Sequence, residues 1–119
     1  MHAHKKLLQS FMHALRGIAF AWRGGQNFRI HVLCAAVLLI LVSYLHFSLV
    51  ETAFIVLMIT LVIAAELLNT VLERTLDMLE PNHHPLVGAV KDMMAGVVVV
   101  FSAGALAVGV LTFIRHFSN

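Results

Sequence analysis

Thr52-Ala-Phe-Ile-Val-Leu-Met-Ile-Thr-Leu-Val-Ile-Ala-Ala65 carries no formal charge, and it runs without a break into Glu66, Asn69, Glu73 and Asp77. At about 100° per residue these four side chains fall within an arc of roughly 80° on one helix face. A carboxylate at bilayer depth costs about 3 kcal/mol on insertion scales, so Glu66 is expected to have a task. Two carboxylates a heptad apart, with an amide between them, can hold a divalent cation and move a proton. The chemistry is expected along this stripe.

The rest of the chain supports a membrane setting. Of 119 residues, 61% are hydrophobic and 12% charged, and the mean hydropathy is +0.93. A soluble domain is about half apolar and about a quarter charged. There are too few charges here to coat a water-facing surface, which predicts an integral membrane protein with one compact domain over residues 1–119. The single cysteine, Cys34, lies in an apolar run and reads as a small hydrophobe. The net charge of +2 brings no basic stripe interleaved with aromatics, so no nucleic-acid partner is expected. Met1 to Gln9 is polar and basic, but no short apolar core with a small-residue cleavage site follows, so no cleaved leader is expected.

Three apolar stretches are long enough, or nearly so, to cross about 30 Å of hydrocarbon. They are Ile30 to Val50, Thr52 to Ala65 with a helical pattern continuing to Leu79, and Met93 to Ile114. The predicted spans are 28–48, 51–79 (its end reaching into the cytoplasm) and 86–115. Pro81 and Pro85 flank Asn82-His83-His84, a loop between the second and third spans. Lys5 to Arg23 differs in pattern. Leu8, Phe11, Leu15, Ile18 and Trp22 share one face, and Lys5, Lys6, Gln9, His13, Arg16 and Arg23 gather on the other. Residues 5–23 therefore predict a basic amphipathic helix on the membrane surface. The fold class is all-α. Lysine and arginine are concentrated before the first span and around the loop after the second. That bias predicts a cytoplasmic N-terminus and loop, with the C-terminus outside. Ala95, Gly96, Ala103, Gly104, Ala107 and Gly109 favour close helix contact in the third span. A homo-oligomer with sites at subunit boundaries is a reasonable inference.

Lys91-Asp92 opens the third span, across the loop from the stripe. A lysine there can neutralise phosphate oxygens, and an aspartate beside it can accept from a sugar or amine or orient the lysine. Together with the stripe these residues suit phosphoryl transfer, in which positioning and charge neutralisation do most of the work. No Walker-type loop and no soluble-kinase signature is present. On the residues alone, a cation or proton path through a bundle remains an alternative. Glu80 reads as a solvated helix end, and His83-His84 as polar loop residues.

Glu66-Leu-Leu-Asn69-Thr-Val-Leu-Glu73-Arg-Thr-Leu-Asp77, His84-Pro-Leu and Lys91-Asp92-Met-Met-Ala-Gly closely resemble the signature of the prokaryotic diacylglycerol kinase and undecaprenol kinase family. Asn27-Phe28-Arg29-Ile-His31 and Arg16-Gly17 are also similar, and the likeness covers nearly the whole chain. The resemblance implies a homotrimeric kinase of the bacterial inner membrane, with shared sites between subunits near the cytoplasmic interface. Members transfer the γ-phosphoryl of MgATP to the hydroxyl of a membrane lipid. By matching position, Glu66 is implied as catalytic base and Glu73 as the Mg²⁺ ligand. Asn69 is implied to orient Glu66 or the phosphates, and Lys91 to neutralise phosphate charge. Asp77 and Asp92 would support the nucleotide end. Asn82, His83 and His84 correspond to a segment near the adenine, and Lys6 and His13 to nucleotide-contacting positions on the surface helix. The similarity leans toward the undecaprenol branch.

One departure stands out. Where the family carries a second metal-binding glutamate, three residues before Phe28, this chain has Gly25. Glycine has no side chain with which to ligate Mg²⁺. Gln26, Asn27 or water would have to fill the gap, since Mg²⁺ keeps several waters. The implied consequence is a weaker metal site: a slower kinase, one with a different metal arrangement, or a relative without activity. The pair Gly24-Gly25 is also expected to loosen the joint between the surface helix and the first span.

Overall fold

The computed structural model describes residues 2–118, so Met1 and Asn119 lie outside it. Four helices make up the chain: α1 (His2–Gly24), α2 (Gln26–Tyr44), α3 (Leu49–Leu79) and α4 (Pro85–Ser118). The last three are each long and apolar enough to cross a membrane. The fold is all-helical, with three apolar helices after an amphipathic one.

Local chemistry sets the helix ends. Ser48 accepts from the Glu51 N–H at 3.2 Å, and the Glu51 carboxylate accepts from the Ser48 N–H at 2.9 Å. This reciprocal cap satisfies two free N–H groups and starts α3. His46, in the turn before it, has a φ of 55°. The helical pattern cannot continue through such a residue. Hence α2 stops at Tyr44, short of residue 48, where the uncharged pattern places the end of the span. At the other end of α3, Glu80 is the C-cap and its N–H bonds the Leu76 carbonyl. Pro85 begins α4, where its missing N–H does no harm. The His84 Nδ1 accepts the Leu86 N–H at 3.1 Å, so that ring caps α4.

At 1.5 Å per residue, the 31 residues of α3 span about 46 Å, well beyond the hydrocarbon thickness. Glu66 lies about 26 Å along from Leu49, which puts it near one boundary of the apolar layer. Helices α3 and α4 form an antiparallel hairpin fastened at both ends. The Lys91 ammonium meets the Asp77 carboxylate at 2.5 Å. At the far end, His116 Nδ1 lies 3.1 Å from Glu51 and its Nε2 lies 3.1 Å from the Leu45 carbonyl. The Phe47 ring stacks on His116 with centroids 4.0 Å apart. The two fastenings are about 39 Å apart along α3.

The interior is thin. Ala21, Phe28, Val42, Ile55 and Ala65 are its buried apolar members. Much of the outer apolar surface stays uncovered, and a Cβ built at Gly96 or Gly104 would meet nothing. Only Ala21 of α1 is buried. Leu8, Phe11 and Leu15 are each more than half exposed. The apolar face of α1 is thus left for something other than this chain, as an interfacial helix requires. Near its C-terminal end, α1 is held by Arg74 of α3, whose guanidinium sits 4.8 Å from the centre of the Phe20 ring. Gly25 joins α1 to α2 in an extended conformation, φ −127° and ψ 112°, that any residue can adopt.

Candidate functional site

The acidic stripe on α3 divides by burial. Glu66 and Asn69 are buried, at 4% and 8% exposure, whereas Glu73 and Asp77 are exposed. A buried carboxylate amid apolar helices needs polar company. The adjoining helix α2 supplies it: His31 Nδ1 lies 3.6 Å from Glu66 Oε2. Asn69, one turn on along α3, instead donates from Nδ2 to Glu73 Oε1 at 3.5 Å. The amide therefore faces Glu73 with its NH₂ and leaves its carbonyl oxygen free.

Asn27, His31, Glu66, Asn69 and Ser102 line a groove of about 560 Å³, walled on the α4 side by small and apolar residues such as Ala95 and Ala103. Three of these residues each hold a polar atom that is buried without a hydrogen-bond partner among the described residues: His31 Nδ1, Asn69 Oδ1 and Ser102 Oγ. Buried polar atoms are nearly always paired, so three orphans converging on one groove mark a place built to receive polar groups. A second groove of about 680 Å³ adjoins it. Cys34, Leu38, Ile55, Met58, Val62 and Phe113 line it, and it shares His31, Ser102 and Leu106 with the first. The two together join a carboxylate to a long apolar trough.

The other residues implied by the resemblance lie apart from this groove. Lys91 is paired with Asp77. Asp92, Asn82, His83 and His84 are exposed at the loop and the start of α4, and His84 is engaged in capping. Lys6 and His13 lie on exposed turns of α1. Among the described residues, no three His, Cys, Asp or Glu side chains gather as a metal site. Sequence reasoning quoted His31 but gave it no role, and it missed Ser102. A lone histidine or serine in an apolar helix sends no periodic signal. Only the packing of α2 and α4 on α3 shows what they face.

Comparison with known proteins gives this arrangement its family. Residues 12–113 match the model for prokaryotic diacylglycerol kinase. The chain belongs to the prokaryotic diacylglycerol kinase family. It is 38% identical over 109 residues to the undecaprenol kinase of Bacillus subtilis, covering 92% of this chain and 89% of that protein. It is 36% identical over 104 residues to a diacylglycerol kinase of Synechocystis, covering 87% of this chain and 59% of that longer protein. A diacylglycerol kinase of Pseudomonas aeruginosa is 35% identical over 89 residues, covering 75% of this chain and 72% of the relative. The chain is thus a lipid kinase by family, and it holds a buried carboxylate, Glu66, in a groove that adjoins an apolar one.

Proposed function

We propose that this chain, a lipid kinase by family, transfers the γ-phosphoryl of ATP directly to the primary alcohol of a membrane lipid, with undecaprenol preferred over diacylglycerol. The observation that carries the reading is Glu66: a buried carboxylate in a polar-lined groove that adjoins an apolar one. A lipid hydroxyl delivered along the apolar trough meets the base at its polar end. Glu66 accepts the hydroxyl proton as that oxygen bonds to the γ-phosphorus. The bond from phosphorus to the bridging oxygen breaks, and its electron pair leaves with ADP. Positioning and charge neutralisation supply most of the acceleration in such a transfer.

The charge-neutralising parts lie along the outer turn of α3. Glu73 and Asn69 Oδ1 are hard oxygen donors, and the Asn69 oxygen is without a partner. One carboxylate, one amide oxygen, substrate phosphates and water form a coordination set that suits Mg²⁺. Glu73 and Asn69 would hold the ion, which would supply charge neutralisation to the transferring phosphates. Lys91, reaching from α4, exchanges Asp77 for phosphate, and Asp77 and Asp92 serve the nucleotide end. By the resemblance, Asn82, His83, His84, Lys6 and His13 would contact the nucleotide.

The preference for undecaprenol is supported by the Bacillus relative, which matches over nearly its whole length. The cation bias supports a cytoplasmic N-terminus and an outward C-terminus. A homotrimer fits the bare apolar surfaces and the open glycine face of α4, where another copy can approach closely. A second reading rests on Gly25, which supplies no carboxylate: a member that binds its substrates but turns over slowly. A γ-phosphate transfer assay in micelles, with undecaprenol and diacylglycerol side by side, tests the proposal. Turnover that needs Mg²⁺ and vanishes in Glu66→Gln is expected. Absence of transfer to either alcohol by folded protein would count against it.

A further inference from the structure

The group that faces Glu66 is a histidine, and neither the stripe nor the family name accounts for it. His31 comes from α2, the element on the opposite side of the groove from α4, and lines both grooves. Its Nδ1 is buried and without a hydrogen-bond partner, and Glu66 Oε2 is 3.6 Å away. A shift of about 0.7 Å gives an N–H···O bond of ordinary length. Asn69, the other candidate to orient the acid, has its NH₂ on Glu73. Among the side-chain contacts of the described residues, His31 is the one from another helix that reaches the Glu66 carboxylate.

We infer that His31 is the positioning residue of Glu66: its Nδ1–H holds one carboxylate oxygen, so the other stays aimed at the incoming lipid hydroxyl. The inference rests on Glu66 as base and adds what fixes its direction. A carboxylate held at one oxygen loses rotational freedom about its terminal bond and keeps a single oxygen for the proton. Partners that hold a reacting or ligating group in place are commonly worth 10- to 100-fold (about 1.4 to 2.7 kcal/mol). Placement on α2 has a second effect. Glu66 is aligned only while α2 lies against α3, so base alignment is tied to closure of the trough that the lipid tail would enter.

Three substitutions separate this role from simple packing. His31→Phe keeps a planar ring of similar size and removes the donor. His31→Asn puts an amide NH₂ where Nδ1 stands, and His31→Gln puts it where Nε2 stands. With the full-length protein in micelles, His31→Phe is expected to lower kcat about 10- to 100-fold, with KM for MgATP and for the lipid alcohol unchanged. His31→Asn is expected to restore most of that loss, and His31→Gln is not. If His31→Phe fails to fold, the difference between His31→Asn and His31→Gln carries the test alone. Equal rates for those two variants would overturn the inference, as would a loss that appears in KM and not in kcat. Glu66→Gln, assayed in parallel, keeps the questions apart. If it turns over normally, Glu66 is not the base; if it is inactive while every His31 variant matches the parent, the base stands and its proposed holder does not.

Discussion

Lys91 has two claims on it, and their magnitudes differ enough to be told apart. The Lys91–Asp77 pair fastens one end of the α3–α4 hairpin at 2.5 Å, with the lysine side chain about one-third exposed and the aspartate nearly two-thirds. In bulk water, Coulomb attraction at that distance is about 1.7 kcal/mol before screening and side-chain ordering are subtracted. Exposed pairs retain about 0.2–1 kcal/mol. As a fastening alone, then, the pair is worth about 0.5 kcal/mol, or about 2 °C in Tm for a chain of this size. Removing a charge that stabilises a transferring phosphoryl group should cost far more, about 100-fold or 2.7 kcal/mol. Lys91→Met and Asp77→Asn are therefore expected to lower the thermal midpoint in micelles by the same small amount. They should part in kinetics: Lys91→Met loses about two orders of magnitude in kcat/KM for MgATP, and Asp77→Asn loses much less, because it frees the lysine. If both variants fell together in rate, or if both lost many degrees of stability with activity following in proportion, Lys91 would be a structural residue.

Gly25→Glu puts a carboxylate where the resemblance implies a metal-binding one. The extended backbone accepts it, and its Cβ would sit 3.1 Å from the Ala21 carbonyl oxygen and 3.5 Å from Phe28 Cβ, a tight fit that needs a shift of a few tenths of an ångström. A Mg²⁺ titration of the rate is expected to show half-saturation at lower metal concentration, and an unchanged titration would mean that Gln26, Asn27 or water already makes up the site. Arg74→Ala removes the cation held over Phe20, an exposed contact worth about 0.5–1 kcal/mol. Hydrogen exchange in the last two turns of α1 should then quicken about 2- to 5-fold while α3 is unaffected, and equal exchange in both proteins would show that Arg74 does not hold the helix. Ser48→Ala deletes the reciprocal cap of α3 and is expected to destabilise by about 1 kcal/mol without touching kcat. A fall in kcat at constant stability would contradict the separation of that end from the chemistry.

The apolar runs and the acidic stripe could be read directly, because 3.6-residue periodicity is a local property. So could the amphipathic α1, whose apolar face stays exposed along with its polar one. The end of α2 was not legible in the same way. Apolar residues fill positions 45, 47, 49 and 50, so hydropathy alone carried the span to residue 48. The information was there in another form: Ser48-Leu-Val-Glu51 is a capping-box pattern, and it outranks hydropathy in deciding where a helix begins. The site was half legible. Glu66 announced itself as a charge in an apolar run. That Asn69 turns its NH₂ to Glu73, that His31 faces Glu66 and that Ser102 opens into the same groove are all consequences of how three helices meet. Nor did any local signal pair His116 with Glu51, 65 positions apart.

The two fastenings of the α3–α4 hairpin limit how this molecule can move. A slide of α4 along α3 by one helical turn, about 5.4 Å, would break Lys91–Asp77 and Glu51–His116 at once. Each fastening is weak alone, so together they favour one register of the hairpin without locking it. A hairpin biased to one register keeps Glu66 of α3 level with the α4 residues that line its groove.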